Sequence, residues 1–457
     1  MIYANALAAV RQFFDSGATR SVEFRKTQLR NLKSALERYE EKIYAALYKD
    51  LKKSREECWV TENGFLIAEI NHTLRHLDSW AAPETVSTNL VNFPSGSRIL
   101  KQPLGVVLII GPWNYPLMLL LTPLVGAMAA GNCVVLKSSE FAPETSAVIK
   151  EMITENFSPN YILFTEGEGD KVIPGMMDHF TFNHVFFTGS TAVGKLIYRM
   201  AANNLVPVTL ELGGKSPCVV EEDANIRTAA KRIALAKFSN AGQMCVAPDF
   251  ILVHQSVKDR LLIELKKLLR EFFGSDARQS YQYGKIINEK QFNRIIAYLE
   301  DGHILYGGQS DKSQLYIEPT ILTDVPVTSA VMQDEIFGPV LPVIAFDTMD
   351  EALSIISNNK NPLAFYLFTS SKKKEDIWLE AVSCGGCCIN NASWHLTNYN
   401  LPFGGIGNSG IGHYHGIYSF NTFSHQQAVM KTPAWFDPAL KYPPFKGKLN
   451  LFKWIVR

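Results

Sequence analysis

The sequence of 457 residues lacks an excess of charge of either sign, because 45 basic residues are balanced by 44 acidic ones. No broad electrostatic attraction to nucleic acid or to an anionic membrane is therefore expected, and a small molecule is the expected partner. Cysteine is also scarce: seven residues, an odd number, form no dense framework of the kind that disulfide-rich secreted domains contain. We expect reduced thiols and a cytoplasmic location.

Long uninterrupted hydrophobic segments are missing as well. The residues between Lys101 and Lys137 carry no charge, but Gly111, Asn114 and Pro116 are among those that interrupt the run. A strand, a turn and a buried helix explain this segment better than a membrane span does. The first residues, from Met1, lack the basic region and apolar core of a signal peptide and predict an amphipathic helix instead.

Short apolar segments alternate with amphipathic ones along most of the chain, after about eighty residues that read as helices. Strands that alternate with helices form parallel sheets covered on both faces, so the sequence predicts an α/β fold with two doubly wound parallel-sheet domains. Such sheets bind ligands at the carboxyl ends of their strands. The predicted strands are 106–110, 134–137, 161–164, 185–187 and 208–211 in a first set, and 217–220, 250–254, 340–346, 365–369 and 387–390 in a second.

A small β element is expected outside these two sets. Between residues 83 and 103, alternating apolar positions on either side of a turn at 94–97 predict a two-stranded hairpin. An isolated hairpin is marginal in water, so this one should pair with another segment, such as a second subunit. A further strand is predicted over residues 420–430.

Cys245 stands among small residues, in Phe-Ser-Asn-Ala-Gly-Gln-Met-Cys-Val-Ala-Pro, just past the end of a predicted helix. A buried structural cysteine needs no such surroundings. A nucleophile does, because its thiolate must be reachable, partly ionised and close to hydrogen-bond donors. This segment alone leaves both a nucleophile and an ordinary loop cysteine open.

Two polar residues at predicted strand ends could serve such a thiolate. Asn114, in Gly-Pro-Trp-Asn-Tyr-Pro, could present its amide to a developing oxyanion, a contact worth about 3 kcal/mol in comparable sites; a plain turn is the alternative. Glu211 lies between an apolar strand and a Gly-Gly turn. Desolvation there would raise its pKa and suit it to a general base that acts on water, whereas the alternative is a carboxylate that caps the turn.

Two further motifs follow predicted strands and suit a nucleotide. Lys137 and Glu140 could hold a ribose through its two hydroxyls, with a surface ion pair as the alternative. In residues 187–194, Phe-Thr-Gly-Ser-Thr-Ala-Val-Gly, the glycines permit close backbone approach and the following helix offers its N-terminal amides to a pyrophosphate. This motif differs from the Gly-x-Gly-x-x-Gly fingerprint and is a weak signal alone.

Three other features carry less weight. Cys384, Cys387 and Cys388 have zinc-like spacing but no second pair, so reduced thiols are expected rather than a metal site. His413 and His415 flank a tyrosine and are expected to pack without a ligand. The tail after residue 441 mixes basic and apolar residues, which could touch a membrane surface but are too few to span it.

Together, these motifs resemble the NAD(P)-dependent aldehyde dehydrogenase superfamily over roughly residues 5–440. The short N-terminus and the Tyr-Pro-Pro-Phe ending are most similar to class 3, the fatty-aldehyde branch, whose members are typically dimers. The motifs occur in the order Gly-Pro-Trp-Asn-Tyr-Pro, Lys-x-Ser-Glu, Phe-Thr-Gly-Ser, Leu-Glu-Leu-Gly-Gly-Lys-Ser-Pro, Gln-x-Cys, Glu-Ile-Phe-Gly-Pro and Pro-Phe-Gly-Gly.

The resemblance implies a role for each matched residue. Cys245 would be the nucleophile, Glu211 the general base, and Asn114 with the Cys245 backbone amide the oxyanion hole. The cofactor would be NAD, with NADP also open. Lys137 and Glu140 would hold the adenine ribose of this cofactor, and Gly189, Ser190 and Gly194 would lie along its pyrophosphate. Glu335 and Phe337 would hold the nicotinamide ribose and ring. Trp113 is also expected to contact the cofactor.

One residue departs from the family pattern: Ser138 stands where many relatives have proline. We expect this serine to loosen the turn that carries Glu140, which bears on the choice between NAD and NADP.

The resemblance also implies a domain plan. Residues 1–82 and 103–210 would form the NAD(P)-binding domain, and residues 211–400 a catalytic domain. Residues 83–102 and 415–432 would be bridging strands used for dimer formation, and residues 433–457 a C-terminal tail.

The implied reaction oxidises an aldehyde to the acid through a thiohemiacetal and a thioester on cysteine, without a metal. Release of the acyl group to coenzyme A instead of water is the alternative, and a cofactor-free cysteine hydrolase is a more distant one. Aromatic candidates for the substrate walls suggest medium-chain, long-chain or aromatic aldehydes. They are Phe65, Tyr115, Phe238, Trp394 and Phe403.

Overall fold

Five helices form the first part of the chain in the computed structural model, which describes residues 3–456. Met1, Ile2 and Arg457, the outer ends of the predicted first helix and tail, lie outside the described residues. Serine hydroxyls cap two of the helices: Ser21 accepts from the Phe24 N–H, and Ser54 from the Glu57 N–H. The helices are α1 (Ala4–Asp15), α2 (Val22–Arg38), α3 (Glu40–Leu51), α4 (Arg55–Cys58) and α5 (Gly64–Ala81).

The predicted hairpin exists, but its first strand is short. Strand β1 (Glu84–Val86) pairs antiparallel with β2 (Gly96–Pro103), while Leu90–Asn92, predicted as strand, forms a 3₁₀ turn. The partner of β2 on its other side is a strand at residues 424–431 of the same chain. The additional pairing that the hairpin was expected to need is therefore supplied within the chain.

A six-stranded sheet follows, with the parallel strands that the apolar segments predicted. Its central strands are buried along their whole length, as in sheets covered by helices on both faces. Every residue of the helix after the first strand is buried, which explains the uncharged segment without a membrane span. In chain order the elements are β3 (Val106–Ile110), α6 (Met118–Ala130), β4 (Cys133–Lys137), α7 (Pro143–Asn156), β5 (Ile162–Thr165), α8 (Gly169–Met177), β6 (His184–Thr188), α9 (Thr191–Ala202) and β7 (Val208–Glu211).

A second sheet has seven strands, of which the sequence predicted five. The two that were missed are four residues long, too short to show a period. In chain order the elements are β8 (Pro217–Val220), α10 (Ile226–Phe238), β9 (Phe250–His254), α11 (Lys258–Phe273), α12 (Glu289–Ala297), β10 (His303–Tyr306), β11 (Ser310–Asp311), β12 (Tyr316–Ile317), β13 (Thr320–Thr323), α13 (Ala330–Gln333), β14 (Val340–Phe346), α14 (Met349–Ser357), β15 (Ala364–Phe368), α15 (Lys372–Ala381) and β16 (Gly386–Ile389). The short strands β11 and β12 pair with each other and form a separate antiparallel ribbon.

The last part of the chain returns to the first sheet. Strand β17 (Gly410–Ile411) pairs antiparallel with β7, and helix α16 (Gly416–Thr422) packs against α6. Strand β18 (Ser424–Lys431) pairs with β2 along its whole length. The strand predicted over residues 420–430 is therefore wrong at its start, because Phe420 is buried as part of a helix. A short exposed helix, α17 (Leu449–Ile455), ends the tail.

Strand order places a crevice in the first sheet. The order is β17-β7-β6-β3-β4-β5, so the chain moves outward from β3 to β5 and then returns to the other side of β3. Ligands of doubly wound sheets bind where the order reverses in this way, at the carboxyl ends of the strands. The second sheet reverses similarly at β8, in the order β10-β13-β14-β9-β8-β15-β16. The two-sheet α/β fold is confirmed, with one antiparallel edge strand in each sheet.

All seven cysteines carry free thiols, as predicted. The cytoplasmic location inferred from them stays a prediction. Within residues 3–456, no helix combines the length and the apolar character needed to cross a membrane. Contact of the tail with a membrane surface also stays a prediction, as do the domain boundaries.

Candidate active site

A cavity of about 310 Å³ lies at the carboxyl ends of β3 and β6. It brings together residues that are far apart in the sequence and come from both sheets. Three predicted residues, Lys137, Glu140 and Gly194, do not line it. The predicted residues in its wall are Trp113, Asn114, Gly189, Ser190, Glu211, Cys245, Glu335 and Phe337.

A second, largely apolar cavity of about 180 Å³ reaches Cys245 from another side. Cys245 therefore lies where a polar and an apolar cavity meet. Four of the five predicted aromatic residues line the apolar cavity; the exception is Phe238, which is 1% exposed and packs in the core. The aromatic and imidazole side chains of its wall are Phe65, Tyr115, Trp394, Phe403, Tyr414 and His415.

His415 packs against aromatic rings, as the sequence predicted, and it also lines the apolar cavity. Its ring stacks on Phe403, with centroids 5.2 Å apart, and neither ring nitrogen has a hydrogen-bond partner within the part of the chain that is described. Burial lowers the pKa of His415 to about 3, so the imidazole is neutral at the wall of the apolar cavity. Nothing local in the sequence marked this residue, because its contact with the cavity depends on the fold.

A tight turn presents Cys245 to both cavities. After α10, three successive residues adopt left-handed backbone: Asn240, Ala241 and Gly242 have φ of 49°, 50° and 75°. A Cβ on Gly242 would lie 2.2 Å from the Gly338 carbonyl oxygen, so a side chain cannot be accommodated there. The buried Gln243 side chain fixes the turn, since it donates to the Asn240 and Lys285 carbonyls and accepts from the Ile287 N–H.

The surroundings of Cys245 disfavour a thiolate. Burial, followed by the carboxyls of Glu335 and Glu211, raises the pKa of the Cys245 thiol, and the backbone N–H groups of Cys245 and Val246 oppose this rise only in part. A positive charge beside the sulfur would act in the opposite direction and lower the pKa.

Glu211 ends β7 and is 3% exposed. Neither carboxyl oxygen accepts a hydrogen bond from any residue that the structure describes, so the carboxyl does not cap the Gly-Gly turn. Burial raises the pKa of Glu211 well above its ordinary value. An unpaired buried carboxyl destabilises a fold, and its location on the wall of a cavity beside a thiol indicates a functional use.

Asn114 is held in place by several hydrogen bonds. Its side-chain Nδ2 donates to the Gln243 carbonyl at 3.0 Å. Its backbone carbonyl accepts from Asn240 Nδ2 at 2.8 Å and from Lys53 Nζ at 3.2 Å. Because an amide carries two hydrogens, one remains available to the cavity after the bond to Gln243.

A buried ion pair supports the Asn114 loop and was not predicted. Lys53 Nζ lies 2.7 Å from Glu62 Oε1, and both side chains are fully buried. The other carboxylate oxygen of Glu62 accepts from the N–H groups of Leu117 and Met118, each at 3.0 Å. Glu62 thus binds the beginning of α6 while Lys53 binds the Asn114 carbonyl. No sequence motif marks this pair, since its function depends on a loop more than fifty residues away.

Glu335 faces the glycines that follow Glu211. A Cβ on Gly213 would lie 1.9 Å from Glu335 Oε2, so glycine is required for this approach. Burial and, second, the nearby Asp249 raise the pKa of Glu335 to about 8, against the opposing effects of Arg294 and Lys215.

Three charged residues that the sequence did not single out fix the Glu335 loop. Asp249 accepts from the Ile336 N–H at 3.0 Å and pairs with the buried Lys215 ammonium. Arg294 donates to the carbonyls of Glu335 and Ile336, at 3.1 and 2.7 Å. These contacts hold the segment before Phe337 in place.

Phe337 itself adopts a left-handed backbone, with φ of 48°. Its ring meets the Trp113 ring edge-on, with centroids 5.3 Å apart and planes at 81°. The strained backbone turns an aromatic side chain toward the cavity, where Trp113 also lies.

Lys137 and Glu140 lie at the end of β4, away from the polar cavity. The Lys137 side chain is almost fully buried, unlike that of an ordinary surface pair, and its Nζ lies 3.2 Å from Glu140 Oε2. Glu140 Oε1 accepts from the Gly169 N–H at 2.9 Å. Although burial acts to raise the pKa of Glu140, the bonds from Gly169 and Lys137 hold it below its ordinary value, so this carboxylate is ionised.

The turn between these residues is not loosened by Ser138. The Ser138 hydroxyl lies 2.6 Å from the hydroxyl of Ser146 on α7, and both side chains are buried. This hydrogen bond anchors the turn to the helix in the absence of proline.

The glycines near Ser190 have packing roles. A Cβ on Gly189 would lie 2.6 Å from the Phe187 ring, and one on Gly194 would lie 2.5 Å from Leu212. Ser190 is the N-cap of α9, so the first N–H groups of this helix point toward the polar cavity that Gly189 and Ser190 line. Gly194 instead allows α9 to approach the segment after β7.

One acidic cluster in the described chain has the geometry of a metal site: Glu221, Glu222 and Asp223. The Lys374 ammonium lies 2.7 Å from Glu221 and 3.8 Å from Asp223, and it also pairs with Glu222. A lysine therefore serves as the counter-ion of this cluster.

Sequence comparison identifies the family to which the chain belongs. The aldehyde dehydrogenase family model matches residues 2–429. The chain is 45% identical to 4,4'-diaponeurosporen-aldehyde dehydrogenase of Staphylococcus aureus, over 97% of this chain and 96% of that protein. It is 43% identical to human aldehyde dehydrogenase family 3 member B1, over 96% and 94%.

Solved structures show the same fold. A substrate-bound Staphylococcus aureus AldH superposes with a TM-score of 0.97 at 44% identity, over 99% of both chains. An indole-3-acetaldehyde dehydrogenase in complex with NAD⁺ superposes with a TM-score of 0.85 at 28% identity, over 94% of this chain and 88% of that one. The chain therefore belongs to the aldehyde dehydrogenase family and is an NAD(P)-dependent enzyme that oxidises aldehydes.

Proposed function

We propose that the enzyme oxidises medium-chain, long-chain or aromatic aldehydes to carboxylic acids through a thioester on Cys245. The observation that carries this proposal is the position of Cys245 between an apolar cavity and a polar one that also contains Glu211 and Asn114. The apolar cavity suits the hydrocarbon part of the aldehyde, and the polar cavity contains the groups that the chemistry needs.

The proposed reaction has two stages, formation of the thioester and its hydrolysis. The Cys245 thiolate attacks the carbonyl carbon, and the free N–H of the Asn114 amide with the Cys245 backbone N–H stabilises the oxyanion. When bound, NAD(P) would accept a hydride from this carbon, which would leave the acyl group on Cys245 as a thioester. Glu211 then takes a proton from water, the resulting hydroxide attacks the thioester, and the Cys245 thiolate leaves as the acid forms.

The chain's own residues fit an oxidised nicotinamide cofactor. The N-terminus of α9 offers N–H groups to a pyrophosphate. Glu335 would hold the nicotinamide ribose, and the side chains of Phe337 and Trp113 would pack against the nicotinamide ring.

We further propose that NAD is preferred over NADP. Glu140 carries a negative charge, and in this proposal it holds the adenine ribose. A 2′-phosphate there would meet a like charge at short range, which is unfavourable.

An assay of the purified enzyme tests these proposals. With hexanal, nonanal or benzaldehyde, we expect reduced nucleotide and carboxylic acid in equal amounts, faster with NAD than with NADP. Added coenzyme A should leave the product unchanged, because Glu211 activates water. An acyl-coenzyme A product would contradict the hydrolytic step, and absence of nucleotide reduction with every aldehyde would contradict the proposed activity as a whole.

The exposed β1-β2-β18 sheet supports a homodimer. Strand β18 is an eight-residue edge strand whose side chains are mostly exposed, and such an edge favours pairing with another chain. Light scattering should therefore give a mass of about twice the 51.1 kDa of one chain. A mass equal to one chain at micromolar concentration would exclude the dimer.

A further inference from the structure

A third cavity lies on the surface beside the apolar one and has a volume of about 600 Å³. We call it the basic groove, because Arg227, Lys231 and Arg232 of α10 line it. Leu235 and Trp394 line both the basic groove and the apolar cavity that reaches Cys245. A molecule that extends from the sulfur through the apolar cavity would therefore enter the groove.

The cations of the basic groove lack counter-ions. In residues 3–456, no carboxylate lies within ion-pair distance of Arg227, Lys231 or Arg232, and all three side chains are exposed. The acidic residues nearest in sequence, at 221–223, are bound by Lys374. Arg232 also donates to the Asn390 carbonyl, so Arg227 and Lys231 are the two cations of the groove that have no partner in the described chain. Two such cations beside one cavity make it a favourable place for an anion.

The spacing of these residues along α10 gives the groove its direction. Residues 227, 231 and 235 are separated by four, so their side chains follow one face of the helix. With a rise of about 1.5 Å per residue, Lys231 lies roughly 6 Å and Arg227 roughly 12 Å along the helix from Leu235. The first positive charge, on Lys231, therefore lies about one helical turn from Leu235, which lines both cavities.

We propose that the basic groove binds a carboxylate at the far end of the aldehyde, so that ω-oxo acids are preferred substrates. This inference rests on the proposed function, with the aldehyde carbon at Cys245 and the methylene chain in the apolar cavity. Arg227 supplies a planar guanidinium that matches a carboxylate, and Lys231 adds a second positive charge. Because the groove is exposed, the contact should weaken as salt concentration rises.

The test compares nonanal with the nine-carbon ω-oxo acid, which differ in one end group. For the wild type, kcat/KM for the ω-oxo acid should exceed that for nonanal by about twofold to fivefold at low salt. The double variant Arg227→Gln/Lys231→Gln should lose this preference while it oxidises nonanal at the wild-type rate. Unchanged nonanal oxidation also shows that the variant is folded.

A matched control removes the same charge from the neighbouring helix. Arg260 and Lys267 are exposed residues of α11 that line neither the basic groove nor the apolar cavity. The variant Arg260→Gln/Lys267→Gln should keep the preference for the ω-oxo acid. Equal preference loss in both double variants would indicate a general charge effect and overturn the proposal.

Other outcomes separate the remaining explanations. Equal kcat/KM for the two aldehydes in the wild type, or a preference that survives Arg227→Gln/Lys231→Gln, would overturn the carboxylate subsite. If that variant instead lost binding to anionic phospholipid vesicles with an unchanged substrate preference, the groove would be a membrane contact and the proposal would be wrong. Failure of the wild type to oxidise either aldehyde would contradict the proposed function itself.

Discussion

Replacement of Cys245 by serine is expected to lower kcat/KM for aldehyde oxidation by roughly a thousandfold or more. Burial and the two nearby carboxyls already raise the pKa of the thiol. A serine hydroxyl, which is far less acidic, would stay protonated in the same surroundings. The loss should appear in the first turnover, because attack on the carbonyl precedes every later step. Stopped-flow measurement of reduced nucleotide with nonanal provides the readout.

The control for this prediction is Cys384→Ser. Cys384 is also a partly buried free cysteine, but it lines neither the polar nor the apolar cavity. Its variant should retain wild-type activity, and both variants should bind NAD with the wild-type affinity in a calorimetric titration. If Cys245→Ser retained normal turnover, the thioester mechanism would have to be abandoned.

Replacement of Glu211 by glutamine is expected to lower kcat by about a hundredfold or more, with little effect on the first turnover. Glutamine has nearly the same shape but cannot take a proton from water, so the thioester should accumulate. Rapid mixing should show a burst of reduced nucleotide, close to one per active site, followed by slow turnover. Without that burst, the base role of Glu211 would be wrong.

The same variant should change the pH profile. Burial raises the pKa of Glu211, so its basic form becomes populated as pH rises. Thioester hydrolysis in the wild type should therefore increase with pH, and Glu211→Gln should remove this dependence. Glu69→Gln is a suitable control, because Glu69 is also a buried carboxyl, with a pKa raised by burial to about 7, and lines neither cavity. That variant should keep the wild-type profile.

The fold was predictable where local composition determines the structure. The buried strands β3, β4 and β6 are uninterrupted apolar segments between turns, and their predicted bounds agree with the structure to within one or two residues. Strands β10 and β13 are too short to show a pattern. The start of the predicted strand 420–430 is helical, because Phe420 packs on distant apolar residues that no local pattern reveals.

The site was predictable to a similar extent. Motifs at strand ends pointed to Glu211 and Asn114, and a segment of small residues past a helix pointed to Cys245; all three line the polar cavity. The buried pairs that hold the loops in position were not predictable. The function of these pairs, Lys53 with Glu62 and Lys215 with Asp249, depends on backbone groups that are distant in the sequence and come close only in the folded chain.

The return of the C-terminal segment to the first sheet has a consequence for synthesis on the ribosome. Strand β17 covers the edge of β7, and α16 packs so closely on α6 that a Cβ on Gly126 would lie 2.5 Å from the Ser419 side chain. A nascent chain that ends before residue 410 has neither element. The apolar helix α6 and the edge of β7 therefore stay uncovered until the last tenth of the chain is synthesised. Folding of the first half during synthesis is therefore incomplete until the chain is almost finished.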